Sequence, residues 1–322
     1  MASLLLIGGT GFFGKSILNS YRRGLLNSWE IDNICVFSRN ATNLKLLFPE
    51  LIDCSIKLVN GNIATCHEIP VADYIIHAAA STDAANYLAR PDVEKKNIQA
   101  GTYNYCDLAK KFHSHSRIVY CSSGAVYGQQ PAGLEFLSEK FGFGNVHEMP
   151  PFKRDYAEAK RDAEHAIYTL GSQGSSVSIA RCFAFVGKYL PRDQHFAIGN
   201  FINDGLMGKP LYVKANFPVY RSYMYSDDLV DWLMTICEKS NLSCPIYNVG
   251  SDEALSIGEL AELIASRFSV EVHKSEITQQ KVDRYTPSIE KAKKDLGLAL
   301  TYDLKSALDK TIEDILINYP HA

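Results

Sequence analysis

The sequence predicts an α/β fold: a doubly wound parallel sheet joined to a smaller C-terminal α+β lobe. Two observations predict the sheet. Short apolar runs alternate with longer stretches of helical period through the first half of the chain, and a glycine cluster follows the first run directly. A third observation predicts the lobe, because after about Val186 the pattern gives way to loops rich in Pro, Gly and Asn with short elements between them. The chain of 322 residues is 46% hydrophobic, enough for one large core or for two fused lobes. Its formal net charge is −3 with the basic residues scattered. Charge therefore gives no footprint for nucleic acid or an anionic membrane, and small molecules are the expected partners.

The strand-like runs are Ser3 to Ile7, Ile34 to Phe37, Ile56 to Val59, Tyr74 to His77, Arg117 to Cys121 and Val177 to Arg181. Between the fourth and fifth runs, Ile98, Thr102, Tyr105, Ala109 and Phe112 recur at three- or four-residue spacing, which gives one buried helix face. Right-handed crossovers wind such units into an open sheet whose ligands lie at the carboxyl ends of the strands. The later lobe is expected to hold strands over Pro210 to Val213 and Ile246 to Val249, and helices over Ile257 to Phe268 and Leu304 to Ile317. Of the eight cysteines, Cys35, Cys121 and Cys182 lie in or beside apolar runs, and none forms a Cys-x-x-Cys pair or a metal spacing. Buried reduced thiols of a cytoplasmic protein, with no bound metal, are expected. Leu4 to Ile7 is too short to span a bilayer and lacks a basic leader, so neither a targeting segment nor a membrane association is expected.

Gly8-Gly9-Thr10-Gly11-Phe12-Phe13-Gly14 follows the first strand and opens a helix through Ile17, Leu18 and Tyr21. Glycines at that spacing permit a tight turn, bring the backbone close to a pyrophosphate and let the helix pack on the strand, while the helix N-terminus favours negative charge. This reads as a dinucleotide-binding loop, and with the change of pattern after about Val186 it predicts a Rossmann-type NAD(P)-binding domain over 1–186 and a substrate lobe over 187–322, with some chain crossing between them. At the end of the second strand, where a carboxylate would hold the ribose 2′-hydroxyl of NAD, stand Ser38, Arg39 and Asn40. A guanidinium pairs with a 2′-phosphate, so NADP(H) is favoured, while NAD(H) stays open if Arg39 is merely solvated.

Ser122-Ser123-Gly124-Ala125-Val126-Tyr127-Gly128 follows the fifth strand, and Tyr156-Ala157-Glu158-Ala159-Lys160 opens a helical segment. Residues four apart share a helix face, so Tyr156 and Lys160 address one site. A cation about 4 Å from a phenol contributes roughly 4 kcal/mol at an effective dielectric of 20, which predicts a Tyr156 pKa lowered by about three units.

These residues, with His77-Ala78-Ala79-Ala80, Asn97, Gly101-Thr102, Arg181-Cys182-Phe183, Arg221-Ser222-Tyr223-Met224-Tyr225, Asp227-Asp228 and Tyr247-Asn248-Val249-Gly250, resemble the extended short-chain dehydrogenase/reductase family. The resemblance covers nearly the whole chain and is to the nucleotide-sugar epimerases, dehydratases and reductases. It implies Tyr156 as acid/base, Lys160 as the cation that holds the nicotinamide ribose, and Ser123 as hydrogen-bond partner of the reacting oxygen. For the cofactor it implies Gly8, Thr10, Gly11, Phe12, Phe13, Gly14, Ser38, Arg39, Asn40, Asn62 and Ile63. The same role extends to His77, Ala78, Ala79, Ala80, Asn97, Cys121, Tyr156, Lys160 and Cys182. For a nucleotide-sugar substrate it implies Ser81, Ser123, Gly124, Tyr156, Tyr212, Arg221 and Arg284, with Tyr212 stacked on the base and the arginines at the diphosphate. His195 stays unassigned. It also implies a homodimer through two long helices beginning near Val93 and Tyr156, and a place in polysaccharide building.

Three departures shape the functional expectation. Ser123-Gly124-Ala125 stands where 4,6-dehydratases carry Thr-Asp-Glu, Ala184 replaces an Asn that contacts the diphosphate in many relatives, and Asn62 replaces the Asp of the adenine-side pattern. The first argues against dehydration. The expected activity is NADPH-dependent reduction of a nucleotide-linked 4-keto-6-deoxy sugar. A 4-epimerase with tightly held NAD is the alternative, followed by reductases of other substrates and by a non-catalytic NADP-binding redox sensor. Intact Ser123, Tyr156 and Lys160 count against the sensor, which needs none of them.

Overall fold

The computed structural model describes residues 1–80, 89–147, 149–194 and 196–318. Its chain forms two compact units, and their segments interleave in sequence. Met1–Gly128, Asn145–Cys182 and Val230–Tyr247 make the first; Gln129–Gly144, Phe183–Leu229 and Asn248–Ala322 make the second.

The first unit is organised by β1 (Ala2–Ile7), β2 (Ile31–Ser38), β3 (Ile56–Asn60), β4 (Tyr74–His77), β5 (Arg117–Ser123) and β6 (Ser176–Cys182). They pair in parallel in the order β3-β2-β1-β4-β5-β6, and Ile246–Val249 is the seventh strand, beside β6. This is the doubly wound sheet the sequence predicts. Leu4, Leu5, Leu6 and Ile7 of β1 are all buried, as a central strand covered on both faces requires, which is why it reads as a continuous apolar run. The winding reverses between β1 and β4, so a crevice opens at the carboxyl ends of the strands. Ile7, Ser38, His77, Ser123 and Cys182 all end strands along that rim.

The helices Pro91–Phe112 and Pro151–Ser172 cover one face of the sheet. Ile98, Tyr105 and Ala109 from the first, and Ala159, Ala163 and Ile167 from the second, pack on Leu5, Ile75, Ile118, Tyr120 and Ile179. The predicted apolar face is therefore the buried one, with Thr102 inside it. Pro91 occupies the first turn, acidic Asp92 and Glu94 follow it, and Lys110 and Lys111 end the helix, each suited to the local end of the helix dipole. Lys95 bonds Glu158 at 2.6 Å and Gln99 bonds Asp162 at 2.6 Å, joining the two helices. The second helix begins at Pro151, so Tyr156 lies in its second turn and does not open it.

In the second unit, Leu211–Val213 pairs with Val272–Lys274, and Val219–Arg221 lies between Leu255–Ser256 and Asp283–Tyr285. The helix Ile257–Phe268 packs against these strands and starts in a capping box between Ser256 and Glu259. The helix Leu304–Asn318 closes the chain's described part. All eight cysteines are free. Among the described residues no helix is long and apolar enough to cross a membrane.

Candidate active site

The glycine loop turns between β1 and the helix α1 (Phe12–Arg22). Gly8 has φ +84°, and a Cβ there would come within 2.5 Å of the Ala79 Cα; a Cβ on Gly14 would come within 2.1 Å of the Gly9 carbonyl oxygen. Both positions need glycine for packing within the protein. Gly11 is different: its nearest neighbour would be the Gly8 oxygen at 3.7 Å, so the space before it is open. Gly11 also caps α1 without a side-chain hydrogen bond, and no acidic residue occupies the first turn. An open approach to an uncapped helix N-terminus fits the pyrophosphate of a dinucleotide. Thr10 Oγ1 and Ser38 Oγ lie 3.0 Å apart, tying the loop to the end of β2, where the Arg39 and Asn40 side chains are exposed. Ala78 N donates to Ile7 O at 2.8 Å, holding the Ala78-Ala79-Ala80 turn against the loop. Asn62 accepts from Ala64 N, Ile63 packs on the core, and Asn97 is exposed.

Ser123, Tyr156 and Lys160 meet at the carboxyl end of β5. Ser123 Oγ accepts from Ala125 N at 3.2 Å and is hydrogen-bonded to the Tyr156 hydroxyl, while Gly124 is buried beside it. Lys160 is 2% exposed and donates to Cys121 O at 2.8 Å and to Tyr120 Oη at 3.3 Å. Its Nζ stands 5.9 Å from the centre of the Tyr156 ring. Cys182 lies near Cys121, and its thiol donates to Ala180 O at 3.6 Å. Burial raises the Tyr156 hydroxyl above its ordinary value; Lys160 and the Ser123 hydrogen bond pull it down without overcoming burial. The expected net lowering is thus corrected: for the half-buried phenol, desolvation outweighs a cation that is no direct neighbour.

His77 ends β4 and is 1% exposed. Its ring packs on Tyr105 at 4.8 Å and Tyr120 at 5.2 Å, so the imidazole lies in the core beneath Lys160 and forms no exposed wall. Neither ring nitrogen has a hydrogen-bond partner among the described residues. Burial, aided by the Lys160 charge, pushes its pKa down to about 3, so the ring is neutral.

In the second unit, Arg221 and Arg284 lie on neighbouring strands of one small sheet. The Arg221 guanidinium bonds Asp283 Oδ2 at 2.8 Å and Tyr220 O at 2.7 Å, and that of Arg284 sits 4.0 Å from the Tyr220 ring centre. Tyr212 belongs to the other strand pair, is 55% exposed and stacks on His273 at 4.9 Å. Ser81 and His195 lie outside the described residues.

With this geometry established, comparison with known proteins supplies the frame. The NAD-dependent epimerase/dehydratase family matches over residues 4–250. The chain belongs to that family. It is an enzyme fold of the extended short-chain dehydrogenase type, as the motifs imply. UDP-glucuronic acid decarboxylase 1 of Danio rerio is 29% identical over 313 residues, covering 96% of this chain and 72% of that protein. UDP-glucuronic acid decarboxylase 5 of Arabidopsis thaliana is 29% identical over 315 residues, 97% and 88% respectively. Among solved structures, a UDP-glucose 4-epimerase from Thermotoga maritima with UDP-glucose superposes with a TM-score of 0.81 at 17% identity, covering 99% of this chain and 100% of that one. The dTDP-glucose 4,6-dehydratase DesIV of Streptomyces venezuelae, with NAD bound, gives 0.81 at 22% identity, covering 99% and 98%. At these identities the structural likeness speaks for the fold.

For a member of the NAD-dependent epimerase/dehydratase family, four further residues at the site were not singled out for a role by motif reading. Lys15, directly after Gly14, is half-buried with its ammonium 4.4 Å from the Phe48 ring centre, and burial lowers its pKa. Glu164, four residues beyond Lys160, accepts from Ser122 Oγ at 2.6 Å and from Arg181 Nη2 at 2.7 Å. The i, i+4 spacing already placed it on the catalytic face. Tyr120 and Thr102 carried no such signal, because within an apolar strand and a helix's core face they read as packing.

Proposed function

We propose that this enzyme reduces the C4 carbonyl of a nucleotide-linked 4-keto-6-deoxy sugar with NADPH. The observation that carries the reading is the composition of the turn after β5: hydroxyls of Ser123 and Tyr156 meet there, and Gly124 and Ala125 bring no carboxylate to them. Hydroxyls suffice to bind a carbonyl oxygen and protonate it. Elimination of water across C5 and C6 needs acid and base groups beyond these. A dinucleotide whose pyrophosphate is held by the glycine loop would supply the hydride from its dihydronicotinamide. Ser123 orients the carbonyl oxygen, Tyr156 delivers the proton to it as the C–O double bond becomes a C–H and O–H pair, and Lys160 holds the nicotinamide ribose and draws the Tyr156 pKa down. Tyr156's raised pKa suits a donor that stays protonated at neutral pH.

The preference for the 2′-phosphorylated cofactor rests on Arg39, exposed at the end of β2 with Ser38 and Asn40 and no carboxylate in that stretch. Arg221, Arg284 and Tyr212 are assigned to the nucleotide; Arg221 serves the diphosphate only by sharing its guanidinium with Asp283. A second reading is redox-neutral C4 chemistry with tightly held NAD, as in a 4-epimerase, and the decarboxylase names of the relatives at 29% identity favour it. Mutation of the proton donor tests the assignment. Tyr156→Phe is expected to lower turnover by about two to four orders of magnitude with cofactor affinity nearly intact, and activity within tenfold of wild type overturns it.

A further inference from the structure

Beneath the proposed catalytic residues the Lys160 ammonium is seated on two buried oxygens of β5. Lys160 is a donor only, so the Tyr120 oxygen accepts from it at 3.3 Å. Thr102, whose side chain bears on the Tyr120 phenol, gives its own Oγ1 proton to Ile98 O at 2.9 Å. All three side chains are at most 2% exposed, so no competing water surface reaches them. Lys160's second proton goes to Cys121 O at 2.8 Å, and the ammonium also stands 4.8 Å from the Tyr120 ring centre. Two of its three N–H groups are thereby fixed by β5. The third has no partner among the described residues.

We propose that Tyr120, backed by Thr102, is a positioning residue for Lys160: it seats the ammonium so that one N–H stays directed to the ligand side, and this rests on the reading of Lys160 and Tyr156 given above. The groups that face the ammonium from the other elements do not replace it. His77 on β4 is neutral, with neither ring nitrogen hydrogen-bonded among the described residues, and the Cys182 thiol on β6 donates to Ala180 O at 3.6 Å. Tyr156, on the lysine's own helix, is held by Ser123. Glu164, one turn further on, is committed to Arg181 and Ser122.

Tyr120→Phe keeps the ring and removes only the acceptor, and Thr102→Val removes the support behind it. Dissociation constants for NADPH and NADH are measured by fluorescence titration of wild type, both variants and Lys160→Met, together with thermal midpoints. Turnover of nucleotide-linked 4-keto sugars is followed against pH. Loss of one hydrogen bond to a charged group, felt only in part at the cofactor because the bond is internal, predicts cofactor binding about five- to twentyfold weaker in Tyr120→Phe, in the direction of Lys160→Met, and a smaller effect of the same sign in Thr102→Val. The alkaline limb, where protonated Tyr156 is lost, moves to higher pH, because a displaced Lys160 lowers the phenol less. Sugar KM stays within twofold. If Tyr120→Phe binds cofactor as wild type does and its pH profile superimposes while Lys160→Met is impaired, the positioning role is wrong and the catalytic reading stands. If Lys160→Met itself binds cofactor normally, both fall. Should Tyr120→Phe fail to fold, Thr102→Val decides by the same two readouts.

Discussion

At the scale of single residues, cofactor choice turns on Arg39. Its side chain is exposed beside Ser38, whose hydroxyl is held by Thr10, so the guanidinium can turn to a 2′-phosphate without breaking a contact of the loop. One charge-assisted contact is worth roughly 1.5 to 3 kcal/mol, or about a 10- to 150-fold preference for NADPH over NADH. Arg39→Ala should weaken NADPH by that factor and NADH much less, measured by titrating both cofactors against both proteins. Equal weakening of the two would show that Arg39 does not read the phosphate. Residue identity was legible here, as were Tyr156 and Lys160, because helical spacing fixes which side chains share a face. The proton affinity of Tyr156 was not. Spacing reports neither the depth of a side chain nor its solvation, and here burial decides the sign.

At the scale of elements, one buried ion pair joins three of them. Glu164 of the helix Pro151–Ser172 receives Arg181 of β6 and Ser122 of β5, and the Arg181 guanidinium sits 4.7 Å from the Tyr127 ring centre. The two charged side chains are only 4% and 6% exposed, so removing one charge leaves its partner stranded in a dry site. Glu164→Gln is expected to cost about 3 to 5 kcal/mol in denaturant unfolding; a loss under about 1 kcal/mol would mean that water reaches the pair. The strands themselves were readable from their apolar runs, and Tyr74–His77 and Ile246–Val249 fall where those runs do. β5 and β6 extend past theirs to Ser123 and Cys182, since polar residues at strand ends pair by backbone and carry no apolar signal. For the same reason the Glu164 network escaped notice: its three members are remote in sequence, and only the pairing of β5 with β6 brings them together.

At the scale of the whole molecule, we propose a homodimer through the helices Pro91–Phe112 and Pro151–Ser172. Their outer sides expose Tyr103 and Tyr168, 48% and 56% accessible, beside a groove lined by Cys106, His165 and Leu170, more aromatic surface than a solvated helix pair needs. Light scattering at micromolar concentration should give twice the 35.8 kDa of one chain, and a value near one chain's mass would refute the pairing. The central claim concerns where the hydride ends. Family membership fixes the chemistry as transfer at a nicotinamide, while only the cofactor's state at the end of turnover separates a reductase from a redox-neutral enzyme. The direct measurement is turnover of nucleotide-linked 4-keto sugars with NADPH deuterated at C4 of its nicotinamide, followed by mass spectrometry of the sugar and absorbance of the cofactor. One deuterium at C4 of each product sugar with one NADP formed per turnover is the predicted result; product formed without net loss of NADPH would contradict it.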